Sequence, residues 1–353
     1  MVNDYEPTFS IGIPPYNRIE LLKHTIQSIL DQTWNDYEVI IANDYIESPL
    51  SLEDLGISDN RIRIINNKKN LGEADNLNFI LSQAKGKYFT WQFDDDIYAP
   101  TFFESILKMF NKKKQLNCIY TNYGFIYGKN YPSLSGEINV NEKIYTGEEF
   151  VQKALIGKIS VAGCCGVFNR SSLIDIGGIE KLINTPIAIH SEFLLLINCL
   201  RFKTVGYLDS PLFYSRDYEG TYSGSTKDFE SYKIAGINLL DRGIQSHFTY
   251  SNNDPQKFII CLINTIYEFF LMRLYAVKDI KYSDHIDDLN SRIIKVLRKS
   301  KICKDEELIL TIKNKVFSKT WIKVRIKAIL KWHIPPILGM MIKKVRANVR
   351  SLN

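Results

Sequence analysis

Three consecutive carboxylates, Asp94, Asp95 and Asp96, follow directly on the apolar stretch KYFTWQF at residues 87–93. Adjacent carboxylates repel one another and rise in pKa unless a cation compensates them. A hard divalent ion, Mg2+ or Mn2+, does so through one or two carboxylates, with water and substrate phosphate oxygens filling the rest of its shell. An acidic turn capping the helix that starts near Pro100 is the simpler alternative.

Two further segments bear on that choice. Asp44 follows the short apolar run EVIIAN at residues 38–43, and PPYNR at residues 14–18 follows TFSIGIP, with which it shares Pro14. In an open parallel sheet, ligands bind beyond the carboxyl ends of the strands, so all three segments are expected at one edge. Taken singly, Asn17 reads as a helix N-cap and Asp44 as a turn residue. Their coincidence with the carboxylate triplet favours a site.

The elements that must position these residues are legible from periodicity. After the β-branched stretch at residues 8–14, Ile19, Leu22, Ile26, Ile29 and Leu30 fall on one face of a helix. Asn17 and Glu20 have the spacing of a capping box for it. Strands are expected at 38–44, 61–65 and 87–93, with a helix at 75–84 between the last two. This alternation predicts a doubly wound α/β sheet with right-handed parallel crossovers. Further strands read at 118–128, 163–170 and 203–209. Thr146 and Glu149 cap one helix, and residues 190–200 form another. From about Asp228 the pattern is mostly helical.

The 353 residues, 45% hydrophobic and 24% charged, describe a folded globular chain and exclude disordered or low-complexity classes. The net charge of +6 is unevenly spread. From Lys295 onward lie 16 of the 45 Lys/Arg but three of the 39 Asp/Glu, so the tail is net +13 and the preceding residues net −7. The six cysteines show no CxxC spacing, which argues against zinc and redox motifs. MVNDYEPTFS lacks a basic region followed by an apolar run, so a secretory leader is not expected and the chain is placed in the cytoplasm.

The segment IGIPPYNRIELLKHTIQSILDQTWNDYEVIIANDY resembles the opening of the family-2 glycosyltransferases of GT-A fold. Their usual form is a strand, P-T-Y-N-R, a helix ending S-x-L-x-Q-T, and a strand ending D-D. NLGEADNLNFILSQAKGKYFTWQFDDDIYAP resembles the next block, which ends in a DXD-type metal motif. The likeness covers roughly residues 7–217. It implies a GT-A sheet over residues 1–227, a helical C-terminal region over 228–353, and a nucleotide-sugar donor. Pro14 and Tyr16 are then expected to line the nucleotide pocket, and Asp44 to accept a hydrogen bond from the donor's base. Asp94 approaches the ribose and diphosphate, Asp95 matches the metal-binding carboxylate, and Asp96 neighbours the ion. Where the family carries the Arg of its A-R-N block, this chain has Asp75.

Displacing a nucleoside diphosphate builds negative charge on the leaving phosphate, which a cation stabilises as a Lewis acid. An inverting transfer also needs one general base for the incoming hydroxyl. The family places that carboxylate in an E-D pair at the start of a late helix. Here the helix reads HSEFLLLINCL, so Glu192 is the expected base and Ser191–Glu192 replaces the pair. A Glu in a first helical turn is also favoured by the dipole alone. The Gly/Ser/Tyr-rich stretch 213–226 is expected as a loop closing over the substrates, with Arg216 either on phosphate or on the surface.

Residues 319–333, KTWIKVRIKAILKWH, interleave basic and apolar side chains as in a helix lying on an anionic membrane surface. Peripheral attachment at the inner membrane face, a glycan or lipid-linked acceptor and no nucleic acid are the partners expected of such a transferase in surface polysaccharide assembly. A sugar nucleotidyltransferase and a degenerate, non-catalytic scaffold are the competing readings. The first needs a Gly-rich triphosphate loop after the first strand, which PPYNR does not supply.

Overall fold

Phe9–Ile13 (β1) is buried along its whole length, so it must be covered on both faces and flanked on both edges. The computed structural model, which describes residues 6–132, 140–162, 165–218, 228–274 and 281–300, meets that requirement with a central parallel sheet. β1 lies between Tyr37–Asn43 (β2) and Tyr88–Trp91 (β4), and Ile62–Asn66 (β3) pairs outside β2, all four strands parallel. Phe9 is level with both Tyr37 and Tyr88, so the three parallel strands start together and release their following loops at the same edge.

Among the described residues the sheet has nine strands: after β3, β2, β1 and β4 come Val167–Asn169 (β8), Cys118–Tyr127 (β6), Val205–Asp217 (β9) and Ile97–Tyr98 (β5), with Glu142–Tyr145 (β7) on β9. β8 enters antiparallel between β4 and β6. β7 and the short β5 run antiparallel to β9, while β6 and β9 are parallel. The expected strand at 163–170 thus narrows to three residues; 163 and 164 lie outside the described residues. The expected loop from 213 is corrected, because β9 continues to Asp217.

Ile19–Leu30 (α1) buries Leu22, Ile26 and Ile29 completely, as its 3.6-residue spacing predicts. Its cap differs from expectation. Arg18 holds the N-cap position without a side-chain cap bond, and Asn17 sits in the left-handed region at φ 55°. Asn tolerates that conformation, so the chain turns sharply here and aims Arg18 back at the sheet edge. Leu52–Leu55 (α2), Phe102–Lys112 (α4) and Arg170–Asp175 (α6) complete the layers with three further helices. Glu73–Gln83 (α3) sits so close to β1 that a Cβ on Gly12 would lie 2.3 Å from Ile80 Cγ2. Gly147–Leu155 (α5) begins with the Thr146/Glu149 capping box read from sequence, and Ser191–Asn198 (α7) begins one residue later than expected.

A second compact unit holds the described residues 228–244, 254–274 and 281–300; residues 245–253 group with the sheet. Its helices are Phe229–Tyr250 (α8, which ends in the first unit), Pro255–Leu274 (α9) and Tyr282–Lys299 (α10). The apolar run of α9 packs inside this unit, with Arg273 buried over the Tyr232 ring at 4.6 Å and donating to its hydroxyl. No helix among the described residues is long and apolar enough to cross a membrane. The basic segment 319–333 lies outside them.

Candidate active site

The three converging loops do meet. Asp94, fully buried just beyond β4, accepts the backbone N–H of Tyr16 at 3.1 Å and the Arg18 Nε–H at 3.1 Å, and its other oxygen pairs with Arg18 Nη2. Arg18 Nη1 reaches on to Asp95 Oδ2 at 2.7 Å and to the Tyr218 hydroxyl at 3.2 Å. One guanidinium therefore balances two of the three carboxylates through charge-assisted bonds. Burial pushes the Asp94 carboxyl up, against the pull of Arg18. For Arg18 itself desolvation opposes protonation, but Asp94 and Asp95 outweigh it and hold the charge firmly.

Asp96 turns toward β9. Its Oδ1 accepts the N–H of Arg216 at 2.9 Å, and its backbone carbonyl accepts the Thr25 hydroxyl at 2.8 Å. Burial, then the neighbouring Asp95, pushes its carboxyl well above the ordinary range. Arg216 is buried and donates to the carbonyls of Asp95, Gly128 and Asn130 at 2.8 to 3.0 Å. It works as a clip on the carboxylate loop, and its burial corrects the reading as a surface residue.

At the neighbouring loop Asp44 is buried, with Oδ1 accepting from Leu71 N–H and Asn67 Nδ2 and Oδ2 from Gly72 N–H, all at 2.8 to 2.9 Å. A carboxylate oxygen takes two donors, so Oδ2 retains capacity for one more. Pro14 is partly buried directly after β1. Tyr16, half exposed, meets Tyr45 edge-on at 5.3 Å, and a small cavity lined by Pro15, Asn17, Arg18, Asn43, Tyr45 and Ser48 opens beside them.

Glu192 stands in the first turn of α7, launched by His190 in the left-handed region at φ 62°. Burial pushes its carboxyl up to about 7; its own backbone N–H opposes the rise and the carboxylate of Glu73 adds to it. A carboxylate so placed is suited to accept a proton near neutral pH. The charge of Glu73 acts on Glu192, and that of Arg18 acts on Glu73.

Whether these residues suit a divalent ion is decided by what each carboxylate already does. Among the described residues no group of three or more His, Cys, Asp or Glu is arranged as a metal cage. Asp94 has both oxygens engaged and Asp96 faces β9, whereas Asp95 shares one oxygen with Arg18 and Tyr218 and keeps 14% side-chain exposure. The set fits an ion held by one protein carboxylate together with substrate phosphates.

Sequence reasoning alone did not single out Arg18, Tyr218 or Glu73. For Arg18 a signal was present: three carboxylates demand a cation, and an arginine in a converging turn is a candidate for it.

Comparison with known proteins agrees with this layout. Residues 10–177 match Glycosyl transferase family 2. An uncharacterized glycosyltransferase of Haemophilus influenzae is 36% identical over 115 residues, 32% of this chain and 36% of that protein. The Escherichia coli UDP-Glc:alpha-D-GlcNAc-diphosphoundecaprenol beta-1,3-glucosyltransferase WfgD is 28% identical over 152 residues, 43% of this chain and 58% of that one. The chain spans less than two thirds of the length of these curated relatives. The crystal structure of Staphylococcus aureus TarS 1-349 in complex with UDP-GlcNAc superposes with a TM-score of 0.52 over 88% of this chain and 92% of that one, at 15% identity, and so shares the fold. With its matched segment carrying β1, β2, Asp44 and the Asp94–Asp95–Asp96 loop in one sheet edge, the chain contains a glycosyl transferase family 2 domain of GT-A fold.

Proposed function

We propose that the protein is a metal-dependent, inverting glycosyltransferase that moves a sugar from a nucleoside diphosphate donor to a hydroxyl of a glycan or lipid-linked acceptor. The observation that carries this reading is the meeting of Asp44, Arg18 and the carboxylate loop at the carboxyl ends of three parallel strands, with Glu192 poised near neutrality. Uridine is the favoured base, since TarS was crystallised with UDP-GlcNAc and WfgD is named for UDP-Glc.

Asp44 Oδ2 accepts an N–H of the base, with Pro14 and Tyr16 flanking the ring. Asp94 stays locked to Arg18 and Tyr16 N–H and fixes the height of the loop; Asp95 would hold the ion together with the donor's diphosphate, and Asp96, bonded to the Arg216 N–H of β9, steadies the loop beside it. When bound, the ion supplies Lewis-acid stabilisation to the leaving phosphate. Glu192 takes the proton of the acceptor hydroxyl on the opposite face of the sugar.

Thermal unfolding with a panel of nucleotide sugars, with and without Mn2+ or Mg2+, tests the donor half. A donor present at 100 times its Kd adds about 2.7 kcal/mol of apparent stability. Stabilisation by UDP-sugars that needs the metal is expected; a flat response to every donor overturns the proposal.

The acceptor is proposed to be membrane-associated and met through the basic segment 319–333. Each basic residue near an anionic leaflet contributes about 1 kcal/mol. The full-length chain should therefore sediment with phosphatidylserine vesicles and not with phosphatidylcholine vesicles. Changing Lys323, Arg325, Lys327 and Lys331 to Gln should abolish this without altering donor-induced stabilisation. Equal sedimentation of the variant refutes the anchor.

A further inference from the structure

α3 is more than a layer of the fold. Its N-terminal end carries two sets of bonds that face different parts of the site. On one side the N–H groups of Leu71 and Gly72 donate to Asp44. On the other, Glu73 clasps the segment that leads into α7: its N–H donates to Pro186 O at 2.8 Å, and its Oε2 accepts Ala188 N–H at 2.8 Å. Ala188 in turn accepts Ser191 N–H at 3.1 Å through its carbonyl, one residue before Glu192.

The clasp leaves no slack at Gly72. Its φ is 80°, and a Cβ there would stand 3.2 Å from Pro186 O. Farther along α3, Asn78 makes two bonds with the backbone of Ile179, at 2.7 and 2.9 Å, and Asp75 pairs with Lys181 at 2.6 Å. The approach to α7 is thus pinned to one helix at several levels. Of these pins, Glu73 is the one whose charge acts on Glu192.

We propose that Glu73 is a positioning residue for the candidate base: it holds the 186–190 segment that presents Glu192 and joins it, through Gly72, to the helix end that holds Asp44. This rests on the reading of Glu192 as the base. Two separable effects follow. The bond to Ala188 sets where Glu192 stands, and a misplacement of about 1 Å in a reacting group costs on the order of 100-fold in rate. The like charge of Glu73 makes Glu192 harder to ionise. The charges acting on the pair are each other and Arg18, with His190 preceding Glu192 on the same turn.

Glu73→Gln keeps an oxygen for Ala188 N–H and removes the charge; Glu73→Ala removes both. With less repulsion Glu192 ionises at lower pH. The acid limb of the kcat profile of Glu73→Gln should therefore move down by roughly half to one pH unit at a near-normal plateau and unchanged donor KM. Glu73→Ala should lose about 10- to 100-fold in kcat with donor affinity retained. Wild-type kcat and acid limb in both variants overturn the proposal. So does a parallel loss of kcat, donor affinity and thermal midpoint in Glu73→Ala that Glu73→Gln fails to rescue, which marks a purely structural role. If Glu73→Ala does not fold, the near-isosteric Glu73→Gln decides through its acid limb. Glu192→Gln runs alongside: full turnover there removes the base reading itself, whereas an inactive Glu192→Gln beside unaltered Glu73 variants removes only the role of Glu73.

Discussion

Glu192→Gln is expected to lower kcat by about 10²- to 10⁴-fold, the range a positioned general base supplies. Donor binding should be unchanged, because the base acts on the acceptor hydroxyl. The same substitution should stabilise the fold. With the carboxyl held up to about 7 by burial, the native state binds the Glu192 proton more tightly than the unfolded chain does. Stability therefore falls as pH rises from the ordinary glutamate range through about 7, and the uncharged amide removes that loss. Thermal midpoints measured from pH 4 to 8 should converge at the acid end, with the variant higher at the neutral end. A variant that keeps turnover would show that Glu192 is not the base, and one that gains no stability at neutral pH that its carboxyl is not held up by burial.

Asp95→Asn should be as damaging by a different route. Of the three adjacent carboxylates, Asp95 is the most exposed, and Arg18 and Tyr218 both bond to the same one of its two oxygens. Removing a group that stabilises developing charge in a shielded site costs about 10² to 10³ in kcat. The variant should also lose the Mn2+ increment of donor-induced thermal stabilisation while still binding the nucleotide through the Asp44 pocket. Retention of both metal dependence and full transfer would move the ion off Asp95. Asp94→Asn is a different experiment, since it strips Arg18 of its buried partner and damages the loop itself.

Much of this site could be read from the chain because parallel topology converts local sequence into spatial proximity. A carboxylate directly after a buried strand has little choice of position once its strand has parallel neighbours, and Asp44 and Asp94 both qualify. Long-range partners carry no such mark. The acceptor of Ala188 N–H is Glu73, 115 positions earlier, and neither residue has a spacing that announces the bond. Asn17 matched a capping box by type and spacing, yet the backbone uses its tolerance of positive φ. The length of β9 was hidden by Pro211, which interrupts a strand pattern; extra residues of β9 on either side of Pro211, opposite Thr121–Tyr123 of β6, accommodate it.

The pairing of Arg18 with Asp94 and Asp95 also bears on how a donor arrives. A nucleoside diphosphate sugar is an anion, and a cleft displaying bare carboxylates would repel it at a distance of about a Debye length, ~10 Å at moderate ionic strength. With one guanidinium already lodged between two of them, the entrance presents far less negative field before any ligand is present. The two paired carboxylates then add less to the repulsion than bare ones would. Added salt should change the association rate only weakly, although the same carboxylates remain at hand for the chemistry that follows.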